Sequence, residues 1–220
     1  MTDNLNKLLA SGKLQCPSCA GTLDLDSTLA CSACGQTFPR IADIPILMPD
    51  PDMWIGLWHN RFANYVSTQK HNIETNLQRI NSGTLYPPLR ERLKTITQAR
   101  ADNLQTIVRL MAPQRELPPG HPPEDGANAV GSFMLMSYLL RDWGWETGEV
   151  DILCDQVVDA LPDDVNPGST LVLGAGACRD AYNLHHHYCS DQTVCVDTAP
   201  LMLLGAQHII SGSTMNLHHI

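Results

Sequence analysis

Between residues 54 and 111 the apolar residues recur at helical intervals. From Trp54 to Ile80 they fall at Ile55, Trp58, Phe62, Val66, Ile73, Leu77 and Ile80, and from Pro87 to Met111 at Leu89, Leu93, Ile96, Leu104, Ile107 and Met111. Steps of three, four, seven and eight keep one face of an α-helix apolar, so the pattern predicts two amphipathic helices. The stretch "NSGTLYPP" at 81–88 holds the breakers between them, and proline is well tolerated at the start of the second. We read both helices as packing elements rather than catalytic ones.

The period changes on either side. Residues 14–48 are short extended pieces around paired cysteines, with "LDLD" and "IADIPILMP" as strand-like segments, closed by the linker "MPDPD" at 48–52. The Pro- and Gly-rich "APQRELPPGHPPEDG" at 112–126 reads as an exposed, extended linker. After it come two helix candidates, "ANAVGSFMLMSYLLRDW" and "GEVDILCDQVVDALP". Then follow a strand "STLVLG", a helix "CRDAYNLHHHY", a strand "QTVCVD" and a helix "APLMLLGAQHII". Strands alternating with helices of this size predict βαβ units on a parallel sheet. The closing "STMNLHHI" reads as the start of a third strand. The predicted class is α/β, arranged as a small unit at 1–50, a helical region at 51–112, a linker at 113–128 and the βαβ part at 129–220.

Composition narrows the function classes. Of the 220 residues, 43% are hydrophobic and 17% charged, enough apolar material for a core and too little charge for wholesale disorder. A net charge of −9 argues against nucleic acid as a partner, because binding phosphates without regard to sequence needs a basic surface. The charge is uneven. Residues 53–112 carry eight Lys/Arg against three Asp/Glu, and residues 113–220 carry three against fourteen. That asymmetry suggests a basic middle packed on the acidic end or facing an acidic protein partner; solvated helix faces would account for it equally well. The opening "MTDNLNKLLASGK" has no basic start followed by a long apolar core, and no apolar run is long enough to cross a bilayer. The expectation is a soluble, cytoplasmic protein with no membrane partner.

Cysteines supply the first chemistry. Cys16 and Cys19 form one CxxC pair and Cys31 and Cys34 another, with eleven residues between the pairs. Each CxxC turn aims two thiolates at one point, and four such ligands suit tetrahedral Zn²⁺ with no position left for substrate, so the metal would be structural. Two disulfides or an iron–sulfur cluster use the same residues. Cys154, Cys178, Cys189 and Cys195 lie scattered in apolar segments and read as ordinary thiols of a reducing compartment. The wider pattern "CPxCxGxL…LxCxxCGxxFPxxxxIPxLMP", over residues 14–49, resembles the Trm112-like zinc ribbon. That resemblance implies a small non-catalytic unit that stabilises and activates an S-adenosylmethionine-dependent methyltransferase.

The second chemistry is a glycine turn. The strand "TLVLG" running into "AGACRD" puts Gly174 and Gly176 between strand and helix, where backbone can approach a ligand and helix N–H groups are free. The following strand ends in Asp197, twenty-one residues after Gly176, where a carboxylate can accept both hydroxyls of a ribose. A βα turn that binds nothing, with Asp197 as a turn residue and the arginines in surface ion pairs, fits the same residues. The dinucleotide fingerprint GxGxxG fails at Arg179, and the pattern GxGxG departs at Cys178. The series "RDW…LVLGAGACRDAYNLH…VDTAPLMLLGAQHII", over 138–210, resembles class I methyltransferases related to carnosine N-methyltransferase. The resemblance implies S-adenosylmethionine as cofactor, held by Arg141, Gly174, Gly176, Arg179 and Asp197, and a small-molecule or peptide nitrogen as methyl acceptor. No catalytic base is identified. The histidines 185–187 point about 100° apart on a helix and cannot converge on one ion. Fifty-three residues from Gly168 onward hold only part of a doubly wound sheet, so the expectation is the front part of a longer enzyme with little or no activity alone. A non-catalytic adaptor, binding a partner through its ribbon and basic helices, is the other reading.

Overall fold

A computed structural model describes residues 2–25, 28–121, 135–145, 148–162, 168–188 and 190–220. The chain is mixed α/β and divides into two compact units, Met1–Asn64 with Ala112–Val130, and Tyr65–Met111 with Gly131–Ile220.

In the first unit, helix α1 (Thr2–Ala10) precedes a three-stranded antiparallel sheet of β1 (Leu23–Leu25), β2 (Leu29–Cys31) and β3 (Thr37–Phe38). Leu23 pairs with Cys31 and Leu29 with Phe38. The alternation of the strands turns Leu23, Leu29, Cys31 and Phe38 to one side, where they form the core with Cys16 and with Leu9, Leu14 and Leu47 at its margin. Five buried residues are a small core for this sheet, and sheets this small commonly need a metal or disulfides as well. A second hairpin, β4 (Arg40–Ile41) with β5 (Ile44–Pro45), turns through Ala42 at φ +50°.

Helix α2 (Pro51–Asn81) begins in this unit and buries Trp54, Ile55, Trp58 and Phe62, the first part of the face predicted from its spacing, whereas Leu77 further along that face is 46% exposed. The Arg61 guanidinium lies over the Trp58 ring, 4.7 Å from its centroid. Residues 112–121 of the predicted linker are mostly exposed, yet they are anchored at specific points. Ala112–Arg115 form the short helix α4, Gln114 is fully buried, its carbonyl bonds His59 Nε2 at 2.7 Å, and His121 N–H donates to Asp52 O. A side chain on Gly120 would strike the backbone of Asp52 and Gly56, which explains a glycine where composition alone suggested looseness. Residues 122–134, which hold the rest of the linker and the start of the next predicted helix, lie outside the described residues.

In the second unit, α3 (Pro87–Leu110) starts with proline in its first turn and buries Thr97, Asn103 and Ile107. Helices α5 (Leu135–Trp143) and α6 (Glu149–Ala160) lead into the βαβ segment: β6 (Ser169–Leu173), α7 (Arg179–Tyr188) and β7 (Gln192–Val196), followed by α8 (Pro200–Ile210). β6 and β7 pair in parallel, with Leu171 opposite Val194 and Leu173 opposite Val196. Among the described residues this parallel sheet has two strands. α8 packs closely on α5: a Cβ built on Gly205 would lie 2.6 Å from Leu139 Cδ2. The final residues are not the third strand their pattern suggested. Asn103 instead grips this segment, donating to His218 O at 2.8 Å and accepting His218 N–H at 2.7 Å, while Thr106 donates to Asn216 O. A buried amide that satisfies one residue's backbone in both directions replaces the sheet ladder there. No helix among the described residues is long and apolar enough to cross a membrane.

Candidate functional site

The four cysteines converge. Their sulfurs all lie within 4.8 Å of one another, with Cys16 and Cys34 3.8 Å apart and Cys19 and Cys31 3.5 Å apart. Tetrahedral zinc with sulfur ligands has edges of about 3.8 Å, from bonds near 2.3 Å, so the four cysteines fit that ion and could hold it. Two matching turns make this geometry. Ala20 N–H bonds Cys16 O and Gly35 N–H bonds Cys31 O, and both donors are left-handed, at φ +57° and +75°. Cys16 N–H then bonds Gly21 O, and Cys31 N–H bonds Gln36 O.

Backbone N–H groups favour charge on the sulfurs. The N–H of Cys34, with that of Ala33, lowers the Cys31 thiol to about 7 against the opposing effect of burial. At Cys19 the N–H of Gly21 acts in the same direction, but the crowded thiols of Cys31 and Cys34 outweigh it and push that thiol up to about 12. Four sulfurs this close cannot all ionise without a cation among them, and a coordinated metal deprotonates its thiols outright. Gly21 is a residue that spacing alone did not single out. A Cβ there would meet Ala33 Cβ at 2.6 Å, Cys31 Sγ at 2.9 Å and Cys19 Sγ at 3.2 Å.

The glycine turn lies in the other unit. Gly174, Gly176 and Cys178 all have positive φ, at +64°, +52° and +58°. Cys178 thus holds a conformation that glycine adopts at little cost and other residues rarely do. The turn is tied to β7: Ala175 N–H donates to Val196 O at 3.0 Å, and Gly176 N–H to Asp197 Oδ2 at 2.8 Å. The other carboxylate oxygen, Oδ1, takes the Ala199 N–H at 2.7 Å at the entry to α8. Gly174, Gly176 and Asp197 therefore meet at the ends of two parallel strands, with Arg179 opening α7 beside them.

The two arginines differ. The Arg179 guanidinium stacks on Trp143, 4.8 Å from the ring centroid, and lies 5.9 Å from that of Tyr182. Trp143 in turn donates its indole N–H to Ala177 O at 2.8 Å, so α5 reaches the turn through this residue. Its role as a support of the turn was not legible in the "DWGW" segment. Arg141 is held by Asp142, with Nε and one terminal nitrogen each 2.7 Å from Oδ1, and its guanidinium lies 5.1 Å from the centroid of the Tyr138 ring. The Asp142 hydrogen bond raises the Arg141 pKa, with Glu149 and Asp180 adding to it. Burial pushes the Asp180 carboxyl up, and Asp142 adds to the shift.

Among the described residues, His185 and His186 meet different partners. His185 Nδ1 meets Thr193 Oγ1 at 2.8 Å, His186 packs edge-on to Tyr182, and Cys16, Cys19, Cys31 and Cys34 are the group suited to an ion. Cys189 lies outside the described residues. Comparison of the chain with protein-family models, with curated proteins and with solved structures found no match.

Proposed function

We propose that the βαβ segment binds S-adenosylmethionine in the manner of class I methyltransferases, and that the four-cysteine unit is a Trm112-like ribbon whose zinc is structural. The observation that carries the cofactor reading is the Asp197 carboxylate at the end of β7, bonded to the N–H of Gly176 across the strand ends. An ionised carboxylate offers about four lone-pair positions. Two are taken by Gly176 and Ala199, and the others suit ribose hydroxyls. Gly174 has nothing within 4 Å of where its Cβ would be, so the backbone there is open to a ligand. Arg179, fixed over Trp143, supplies positive charge for the amino-acid carboxylate. Arg141 would have to share its guanidinium with Asp142.

When bound, S-adenosylmethionine supplies an electrophilic methyl group on a sulfonium sulfur. What the chain adds is position: Asp197 orients the sugar, the left-handed turn lets backbone approach, and Arg179 neutralises the tail. The methyl acceptor in this reading is a small-molecule or peptide nitrogen. Calorimetry with S-adenosylmethionine on the full chain tests it. Binding that weakens at least tenfold in Asp197→Ala and in Gly174→Val, with folding checked by circular dichroism, supports the reading. Absence of binding to the wild-type chain overturns it.

The adaptor reading draws on a different feature. Leu171 and Leu173 point to one side of β6 and are 60% and 75% exposed, with Val196 beside them at 46%. Parallel sheets are normally covered on both faces, so this surface suits a polypeptide partner. A stable complex with a methyltransferase, formed by a chain that binds no S-adenosylmethionine itself, would favour that role.

A further inference from the structure

We propose that this protein self-associates, the tip of the α2–α3 helical hairpin of one copy docking on helix α6 of another. Each surface is exposed, carries large apolar side chains and is charged, and the two charges are opposite. α6 packs along one stripe: Cys154 is buried, and Val150 and Val158, four residues to either side, are half-buried. Every other position of the helix is exposed. Ile152 is 60% exposed, Leu153 45% and Val157 37%, with Leu161 at 38% just past the helix end. Clustered apolar side chains left outside a folded unit mark a surface for a partner.

The charge on α6 specifies the partner's chemistry. The helix carries Glu149, Asp151, Asp155 and Asp159 and no basic residue, and the chain has no Lys, Arg or His from residue 142 to residue 178. Asp159 lies in the last turn, where the helix dipole already places negative charge. Burial pushes the Cys154 thiol up, and Asp155, Asp151 and Asp180 add to the shift, the mark of a negative field at this helix. Among the described residues neither Asp155 nor Asp159 is in an ion pair. A surface that is basic and partly apolar would cover the side chains and neutralise the carboxylates together.

The hairpin tip supplies those features. Leu77 is 46% exposed near the end of α2, Leu89 47% in the first turn of α3, and Tyr86 between them 72%. Leu89 and Arg92, three residues apart, share one side of α3. The tip is tied together by Arg90, which donates to Gly83 O at 3.2 Å and to Leu85 O at 3.5 Å. Arg90 is thereby used within the tip, while Arg79 and Arg92 are exposed and in no ion pair among the described residues. Tyrosine and arginine are enriched among the residues that carry interface energy. The tip and α6 belong to the same unit and both are exposed, so within one chain neither covers the other. A second copy brings opposite charges face to face, which gives the basic middle and acidic end of the chain a common use. This association does not rest on the cofactor reading.

The test is sedimentation of the full, zinc-loaded chain at low salt, from micromolar to submillimolar concentration. The mass should rise above the 24.2 kDa of one chain as concentration increases, and fall back as salt is added. Asp155→Lys with Asp159→Lys, or Arg79→Glu with Arg92→Glu, should each weaken association at least about tenfold, with helicity unchanged in circular dichroism. Mixing the two variants should restore it, because the basic α6 of one meets the acidic tip of the other. Tyr86→Ser and Ile152→Ser, which leave the charge unchanged, should weaken it as well. A chain that stays at 24.2 kDa throughout, association that both charge variants leave intact, or variants that do not recover on mixing would each overturn the proposal. So would an α6 that takes a different polypeptide while the chain itself remains monomeric.

Discussion

Asp197 Oδ2 accepts the N–H of Gly176 at 2.8 Å, joining the end of β7 to the middle of the glycine turn. With Oδ1 on Ala199 N–H, one carboxylate sets both the turn before α7 and the entry to α8. Replacing Asp197 with asparagine keeps the shape but turns an NH₂ toward one of the two N–H donors. Hydrogen bonds to charged groups are worth about 1.5–3 kcal/mol each. Asp197→Asn should therefore lower stability by roughly 1–3 kcal/mol in urea unfolding, with or without cofactor. An unchanged midpoint would mean that the carboxylate does not hold the turn.

Cys178 offers a test of backbone strain. At φ +58° an L-residue is disfavoured by about 1–2 kcal/mol, and glycine is not. Cys178→Ala and Cys178→Gly both remove the thiol and its hydrogen bond to Gly176 O. The glycine variant should nonetheless be the more stable of the two by about 1 kcal/mol. Equal stabilities in chemical denaturation would argue that the left-handed conformation is absent in solution.

Gly21 should control metal retention rather than metal identity. A methyl group there would crowd Cys31 Sγ and Cys19 Sγ, the nearer at 2.9 Å. Disturbing residues that support metal ligands typically costs about 10–100-fold in affinity. In competition with a chromogenic chelator, Gly21→Ala should surrender zinc at correspondingly lower chelator concentrations. Removing the metal from the wild-type chain should unfold the sheet around the cysteines, because the buried cluster there has only five residues.

Asp180 carries the pH-dependent prediction. Burial, then Asp142, with Glu149 further behind, raise its carboxyl pKa, while Arg141 and Arg179 oppose them. A carboxyl raised on folding is worse off ionised in the folded state than in the unfolded one. Its favourable contribution is complete below the unfolded pKa and is lost as pH rises through the folded one. Asp180→Asn should therefore stabilise the protein at neutral pH, and the gain should shrink toward zero as pH falls through the carboxylate range. A gain that grows on acidification would show the sign to be wrong.

Much of the local structure was legible because its causes are local. The three- and four-residue steps of α2 and α3, the proline opening α3, the apolar runs of β6 and β7 and the two CxxC turns all follow from neighbouring residues. The structure bears out those elements with small shifts at their ends. Spacing also named the four cysteines that converge. Composition predicts exposure at 112–121, and most of that segment is exposed, but composition does not show where it is anchored. Gln114 is buried there, and Gly120 is a glycine for want of room.

What the sequence determined by itself is the set of elements and the residue chemistry available to them: a cysteine quartet, two amphipathic helices, and a strand–turn–helix–strand with an aspartate at its end. Tertiary structure alone decided which partners those residues met. It set Trp143 beneath Arg179, Asp142 on Arg141, Gly176 on Asp197, and Asn103 on the backbone of His218. Each of these contacts joins residues from different elements or presents a side chain in a direction the pattern does not specify. Periodicity reports which face of an element is apolar. Which group lies across from that face depends on packing, and packing is a property of the folded chain.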